Sequence, residues 1–251
     1  MPKSDIFNYE HPFVTTDAVV LSVHSREQDG HRKLPEVTLR VLMYKRTEEP
    51  YKGLWSLPGG FLNIDELPED NIRRKLSAKT SISNCYLEQL YTFCDIDRDP
   101  RSRVLSITYL GLMPEDSLTE LPENAEWLTI SPNQKEPQLL TPSLIAPAHR
   151  DGNGISANCA VAFDHLNIID MAIKRLQNKI EYCDIALKLM PEEFTLTHFQ
   201  NVYNAILADK HQYQKANFRR KTEQWVEPTG NMSERAGHRT ARLFRRRKNN
   251  G

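Results

Sequence analysis

The chain has 251 residues, of which 39% are hydrophobic, and a formal net charge of zero, so it can bury one or two packed cores and is not disordered throughout. No stretch approaches the roughly 20 apolar residues that cross a bilayer, and the first residues lack the apolar run of a signal peptide, so we expect a cytoplasmic protein with no membrane partner. The four cysteines form no closely spaced pair, which argues against a zinc site or a disulfide framework.

The first half of the chain reads as strands interrupted by one helix. Strands are predicted from β-branched and aromatic runs at residues 14–23, 37–45, 86–95, 103–113 and 125–130. A Pro-Gly-Gly turn at residues 58–60 precedes a predicted helix from Pro68 to about Thr80. Because strands and helices are mixed without a regular βαβ order, we expect an α+β fold and not a doubly wound sheet.

The second half of the chain is predicted to be mainly helical. Apolar residues recur at helical spacing over residues 163–189, and a threonine in residues 194–197 precedes a second amphipathic stretch. A third helix is predicted over residues 214–224, and a domain boundary near residues 155–165. We therefore predict an N-terminal domain over residues 1–155, a connecting or dimerisation region over 156–190, and a C-terminal domain over 191–251.

A short motif after the Pro-Gly-Gly turn points to a known fold. Gly60, Glu66 and Arg74 are separated by five and then seven residues, and the lead-in at residues 53–60 reads Gly-Leu-Trp-Ser-Leu-Pro-Gly-Gly. Together they resemble the Nudix box, which lies on a strand, a loop and a helix. The resemblance implies that the N-terminal domain is a Nudix α/β/α sandwich.

The metal-binding part of that motif is altered. In the Nudix family, helix carboxylates gather a divalent cation that neutralises diphosphate oxygens and activates water. This sequence has Lys75, Ala78 and Lys79 at those positions. Two lysines repel a cation, so we predict no metal site and no enzymatic activity. The alternative is an active nucleotide diphosphate hydrolase (an ADP-ribose pyrophosphatase) with a basic accessory domain, whose metal would need Glu66, Glu69 and Asp70.

A Nudix domain without catalysis can still bind a ligand. Guanidinium groups suit a diphosphate, and aromatic faces suit a base or a sugar. The candidate ligand-binding residues are Arg46, Trp55, Gly60, Phe61, Arg98, Arg101 and Arg103. Each of these side chains alone could equally be a surface ion pair or a packing residue.

The C-terminal end is strongly basic. Residues 211–251 carry 11 Lys or Arg and 3 Asp or Glu, a formal +8, and because the whole chain is neutral the first 210 residues carry −8. This asymmetry indicates either a polyanion-binding region or a solvated basic terminus.

The order of the basic segment favours duplex DNA. A helix bearing amide and guanidinium groups is followed by a strand, a glycine-containing tip and a basic strand, which is the order of a winged helix-turn-helix. The candidate DNA-binding residues are Lys215, Asn217, Arg219, Arg220, Lys221, Arg239 and Arg242. A nonspecific RNA-binding role for the same residues is the remaining alternative.

Both ends together are similar to one regulator family. The altered box, the run at residues 98–101 and the C-terminal motifs resemble the Nudix-related transcriptional regulators of NAD metabolism (NrtR). The resemblance implies a homodimeric repressor of NAD biosynthesis or salvage genes that binds double-stranded operator DNA. It also implies that ADP-ribose, as effector, releases the protein from DNA, with no cofactor required.

Overall fold

The computed structural model describes residues 10–26, 36–117, 120–130, 145–147, 161–208, 212–233 and 240–248. The larger sheet contains β1 (Phe13–Arg26), β2 (Glu36–Lys45), β3 (Trp55–Ser56), β4 (Gly59–Phe61), β5 (Tyr86–Phe93), β6 (Val104–Leu112), β7 (Ala125–Ile130) and β8 (Ile145–Pro147). The smaller sheet contains β9 (Phe194–Thr195), β10 (Val226–Met232) and β11 (Arg242–Arg246). The helices are α1 (Pro68–Thr80), α2 (His165–Lys179), α3 (Leu196–Leu207) and α4 (Lys215–Thr222).

The larger sheet is organised around β1. Its strand order is β5-β6-β1-β2-β7-β8, with β3 paired to β2 and β4 paired to β1. The β1–β6 pair is parallel, whereas β2 and β4 run antiparallel to β1. The middle of β1 is buried on both faces, which explains its nearly continuous apolar sequence from Ala18 to Leu21.

The two faces of this sheet carry separate cores, because successive side chains of a strand point to opposite sides. Ala18 and Val20 pack in a cluster with Ile72 and Leu76 of α1. Val19, on the other face, belongs to a second cluster with α2. The sheet therefore lies between α1 and α2, and the predicted Nudix-type α/β/α sandwich within an α+β chain is confirmed.

The cluster on the α2 face extends into the C-terminal unit. It contains Phe199 and Tyr203 of α3 and Phe218 of α4, whose ring centroids lie 5.0–5.4 Å apart in edge-to-face arrangements. Helices α3 and α4 together with strands β9 to β11 form the predicted winged helix. Because one apolar core joins the winged helix to the sheet, the two units are packed together and not merely linked.

Local sequence signals explain where the helices begin and end. Helix α1 has Pro68 in its first turn. It ends at Thr80, before the capping residue Ser81, whose φ of 60° lies in the left-handed region. Helix α3 begins after Thr195, whose hydroxyl accepts a hydrogen bond of 3.1 Å from the backbone N–H of His198. The predicted threonine cap is confirmed.

The predicted helix over residues 163–189 is wrong at both ends. Phe163 has a φ of 55° and cannot continue a right-handed helix, so α2 begins at His165. It ends at Lys179, and a separate 3-10 helix covers Ile185–Leu189. The buried residues Ile185, Ala186 and Leu189 of that short helix maintain the apolar pattern beyond the end of α2. Over the described ranges, no helix is long and apolar enough to cross a membrane.

Candidate functional site

The Nudix-like motif lies on β4, the following loop and α1. Phe61 ends β4, and Glu66 lies in the loop, where its carboxylate accepts hydrogen bonds from Arg74 (2.6 and 2.7 Å) and from the Asn71 amide (2.7 Å). The hydrogen bonds from Arg74, followed by that from Asn71, lower the pKa of Glu66 to about 2. Glu66 is therefore an ionised carboxylate already occupied by a cation of the protein itself.

The remaining positions of the motif do not fit a divalent cation. Lys75 is half-buried and packs against Gly60, where an added Cβ would lie 2.9 Å from the lysine Cε. Lys79 is also half-buried, with its Nζ 4.8 Å from the centre of the Tyr44 ring, and Ala78 has no ligand atom. Among the residues described, no three His, Cys, Asp or Glu side chains are grouped to hold a metal ion.

The alternative carboxylates are no better placed. Glu69 is exposed and forms an ion pair of 2.8 Å with Arg73, one turn along α1, and Asp70 is exposed beside it. The residues present thus disagree with the metal that the fold implies.

Beside the motif lies an arginine and aromatic cluster, which we define as Arg46, Phe61, Arg101 and Phe163. The guanidinium of Arg46 lies 4.9 Å from the Phe163 ring centre. That of Arg101 lies 5.3 Å from the Phe61 ring and 5.9 Å from the Phe163 ring. Burial lowers the pKa of Arg46, and the nearby Arg101 charge lowers it further. The guanidinium of Arg101 also pairs with the carboxylate of Asp99 at 2.7 Å, and the Nε of Arg46 donates to the carbonyl of Pro50 at 2.6 Å. The cluster places two guanidinium groups next to the exposed ring of Phe61 and the half-buried ring of Phe163, a combination that suits a nucleotide diphosphate.

The other predicted ligand residues have different environments. Arg98 is buried, and its guanidinium makes two hydrogen bonds of 2.8 and 3.0 Å with the carboxylate of Asp164. Trp55 is half-buried against the core, and its carbonyl accepts a hydrogen bond of 2.8 Å from the Ala162 backbone N–H. Arg103 is exposed next to a shallow depression that Arg101 also lines. The structure therefore groups Arg46, Phe61 and Arg101, with Gly60 adjacent, whereas the guanidinium of Arg98 is buried and engaged with Asp164.

Two residues of this region were missed by the sequence analysis. Phe163 completes the cluster, and His165 is buried, with its Nδ1 accepting a hydrogen bond of 2.9 Å from the Leu57 backbone N–H. Burial lowers the pKa of His165, although Asp17, 3.9 Å from its Nε2, opposes that shift. Both residues precede or begin α2, about 100 positions after the motif, so no local spacing could have identified them.

The C-terminal unit presents an exposed cationic surface, which we call the α4 surface and define as Lys215, Asn217, Arg219, Arg220 and Arg242. All five side chains are exposed. In the described part of the chain none of its four cations has an ion-pair partner, and Arg220 donates only to Asn217 (3.3 Å). Phe218 and Thr222 on the opposite side of α4 are buried, so the helix is oriented by its apolar side.

Other basic residues nearby are engaged within the protein. The Lys221 Nζ donates to the carbonyl (2.8 Å) and carboxylate (3.2 Å) of Glu181. Arg245 and Arg246 pair with Glu227 and Asp184 at 2.9 and 2.8 Å. Arg239 lies outside the described residues.

Helix α2 connects the two regions. Its N-terminal end follows Phe163 and Asp164 in the ligand region, and its side chain Gln177 donates a hydrogen bond of 2.9 Å to the carbonyl of Ile206 in α3. A second connection runs from β1, where the Ser25 hydroxyl lies 3.2 Å from Nε2 of His198. A movement of α2 relative to the sheet would therefore also displace α3.

Comparison with known proteins matches both regions. The family model described as NUDIX domain matches residues 20–143, and that described as NrtR DNA-binding winged helix domain matches residues 186–246. The "ADPR responsive transcriptional repressor NtrR" of Acinetobacter baylyi is 31% identical over 97% of this chain and 84% of its own length. The crystal structure of Shewanella oneidensis NrtR with a 27-mer DNA is 28% identical, covers 93% of both chains and has a TM-score of 0.70. An ADP-ribose pyrophosphatase of Methanocaldococcus jannaschii is 30% identical over 41% of this chain and 52% of its own.

Proposed function

This chain belongs to the NrtR family of transcriptional regulators, and on that premise we propose that it is a DNA-binding repressor of NAD biosynthesis or salvage genes that ADP-ribose releases from its operator. The Acinetobacter relative, which is similar over nearly the whole chain, is named as an ADPR-responsive repressor, and the Shewanella relative was crystallised with DNA. The observation that carries the proposal is the direct connection, through α2, of the arginine and aromatic cluster to a winged helix whose α4 surface carries exposed cations with no ion-pair partner among the described residues.

The effector is proposed to bind at the arginine and aromatic cluster. Arg46 and Arg101 would meet diphosphate oxygens, for which guanidinium groups are suited, and Phe61, which is 41% exposed, would contact the base or a ribose. Arg98 is proposed to hold Asp164 and not the effector, because its guanidinium is buried, whereas that of Arg101, although paired with Asp99, is 43% exposed. Trp55 and Arg103 would border the site.

The Nudix domain is proposed to bind without hydrolysing. Glu66 is held by Arg74 and Asn71, and the lysines stand where further carboxylates would be needed. The partial similarity to an ADP-ribose pyrophosphatase supports the nature of the ligand more than the reaction, because that reaction needs a metal.

Release from DNA requires that the effector bind one arrangement of α2 more tightly than another. The guanidinium groups of Arg46 and Arg101, which the diphosphate would contact, lie 4.9 and 5.9 Å from the centre of the Phe163 ring, so the effector would displace or reorient this ring. Asp164 and His165 would transmit that change to α2, and Gln177 to α3. Weakening operator binding a hundredfold needs roughly 2.7 kcal/mol of coupling, which a few contacts made in one arrangement can supply.

The DNA is proposed to bind at the α4 surface in a homodimer, in which two winged helices meet successive half-sites of the operator. Lys215 would contact phosphates, whereas Asn217 and Arg219 would read base edges. Lys221 is proposed to stabilise the position of α4 against Glu181, since its ammonium is engaged there.

The test is fluorescence anisotropy of the full chain with duplex DNA from the region upstream of its own gene, titrated with ADP-ribose at fixed salt. We expect binding that ADP-ribose reverses, with the nucleotide recovered intact by chromatography. Equal binding to a scrambled duplex would contradict sequence-specific recognition, and release of AMP from ADP-ribose would return the hydrolase alternative. Because coupling is reciprocal, operator DNA must also weaken ADP-ribose binding by the same factor.

A further inference from the structure

Two lysines of α1 form a local concentration of positive charge inside the altered Nudix motif. Lys75 and Lys79 are one helical turn apart, and both are half-buried against the sheet. Lys75 packs on Gly60 of β4, and Lys79 over the ring of Tyr44 in β2. Neither has a carboxylate within ion-pair distance among the residues that the structure describes.

The surroundings compensate this pair of charges only in part. Burial lowers the pKa of Lys79, and the positive charges of Lys75 and Arg46 lower it further, whereas the negative charges of Asp17 and, more weakly, Glu48 raise it. The carboxylate of Asp17 accepts a hydrogen bond of 2.5 Å from the hydroxyl of Ser106 and makes no ion pair with either lysine. Half-buried like charges that lie close together without a partner are costly unless an anion accompanies them.

We propose that the ammonium groups of Lys75 and Lys79 take the place of the divalent cation of a Nudix fold, so that the effector's diphosphate is bound without metal. This inference rests on the proposed function, since it specifies how the same site holds ADP-ribose. Lys75 packs against Gly60, the residue before Phe61, so the lysine pair lies beside the arginine and aromatic cluster. The diphosphate would therefore lie between the lysines and the arginines.

The exchange of cations also separates binding from catalysis. Two ammonium groups carry the same total charge as one divalent cation and can neutralise diphosphate oxygens as it does. A bound metal ion would lower the pKa of a coordinated water and so supply a nucleophile, whereas a lysine ammonium donates hydrogen bonds and has no open coordination position. The lysine pair would thus neutralise the diphosphate oxygens as a metal does, but it would supply no nucleophile to cleave the diphosphate bond.

The experiment is isothermal titration calorimetry of the full chain with ADP-ribose, and separately with inorganic pyrophosphate, in EDTA and in magnesium. We expect the same ADP-ribose affinity in both buffers. Lys75→Met and Lys79→Met keep an unbranched side chain and remove the charge, so each should weaken binding about tenfold or more. Arg73→Gln is the matched control, because it removes one charge from the same helix at a side chain that is already paired with Glu69; the affinity of this variant should be unchanged.

The outcomes separate this inference from the proposed function. If ADP-ribose binds but requires magnesium, or if both methionine variants bind as the wild type does, the lysine pair is not the cation and the effector proposal stands. If the wild type fails to bind ADP-ribose yet binds pyrophosphate without metal and through these lysines, the effector proposal fails and the lysine site stands. Failure to bind either molecule overturns both.

A reversal variant tests the same point in the other direction. The double substitution K75E/K79E restores carboxylates at two positions of the motif, so binding in EDTA should be lost and partly recovered by magnesium. Circular dichroism and thermal unfolding establish that each variant is folded. Full affinity of the double variant in EDTA would overturn the inference.

Discussion

Two helices of this protein carry a pair of cations one turn apart, and the pairs differ in what surrounds them. Lys75 and Lys79 of α1 are half-buried against the sheet, whereas Lys215 and Arg219 of α4 are exposed. Half-buried charges are weakly screened by salt and suit a small anion, whereas exposed charges form a surface suited to a polyanion and are strongly screened. If both proposals hold, the same sequence pattern serves two kinds of phosphate recognition.

The largest effect is expected from removing the packing that orients α4. Phe218 is buried and contacts the rings of Phe199 and Tyr203, so Phe218→Ala should lower the free energy of unfolding by about 3–5 kcal/mol. Operator binding should also be lost, because α4 would no longer be oriented with Lys215 and Arg219 toward the solvent. Urea denaturation and anisotropy measure the two effects.

Phe13→Ala is the control for this variant, because Phe13 is 56% exposed and its loss should change stability by about 0.5 kcal/mol or less. Equal destabilisation by the two substitutions would mean that Phe218 does not fix α4, and the contrast between the helices would lose its structural basis.

The next effect concerns the connection between the two cationic regions. Asp164→Asn should remove the charge that satisfies the buried Arg98, lowering the free energy of unfolding by roughly 1.5–3 kcal/mol. Operator binding without effector should persist, but ADP-ribose should release the DNA less completely, because α2 is no longer anchored at the ligand region. Anisotropy titrations with and without ADP-ribose measure this coupling.

Asp170→Asn on the same helix serves as its control, because the ion pair of Asp170 with Lys174, one turn away, is much more exposed than that of Asp164 with Arg98. A variant at Asp164 that behaves like the one at Asp170 would show that the buried ion pair does not carry the coupling.

The residues of the α4 surface should divide into two roles in DNA binding. Arg219→Ala or Asn217→Ala should cost about 1–3 kcal/mol on the preferred operator and relax its sequence preference. Lys215→Ala should weaken all duplexes alike and reduce the slope of log affinity against log salt by about one for each lost phosphate contact. Anisotropy on operator and scrambled duplexes at several salt concentrations distinguishes these roles, and three uniform losses would refute the division.

The elements that depend on local signals can be predicted from the sequence. The strands follow from β-branched runs, the start of α3 from Thr195, and the altered metal site from the spacing of Gly60, Glu66 and Arg74. These features need only residues that are close in the sequence.

Features that depend on distant partners could not be read in this way. Phe163 and Asp164 come from a segment about 60 residues after Arg98 and Arg101, and periodicity placed Phe163 on a helix that begins two residues later. Likewise, the sequence predicts Lys221 as a DNA contact because it lies in a basic helix. Only the folded chain brings Glu181, 40 residues earlier, next to its ammonium group. Charge is visible in a sequence, but its neutralisation is a property of the folded chain.

The smallest effect tests whether the retained glutamate of the motif has become a structural residue. The pKa of Glu66 falls from 4.5 to about 2 on folding, so its pairing with Arg74 stabilises the protein above pH 4.5 and is lost as pH falls toward 2. The difference in unfolding free energy between wild type and Glu66→Gln should therefore be largest near neutrality and vanish in acid. Urea denaturation between pH 7 and pH 2 measures it, and high salt should reduce it because the Arg74 side chain is 47% exposed. A difference that grows on acidification would mean that the Glu66 carboxylate is destabilised in the folded protein, as expected of a residue still arranged for catalysis and not of one paired with its own helix.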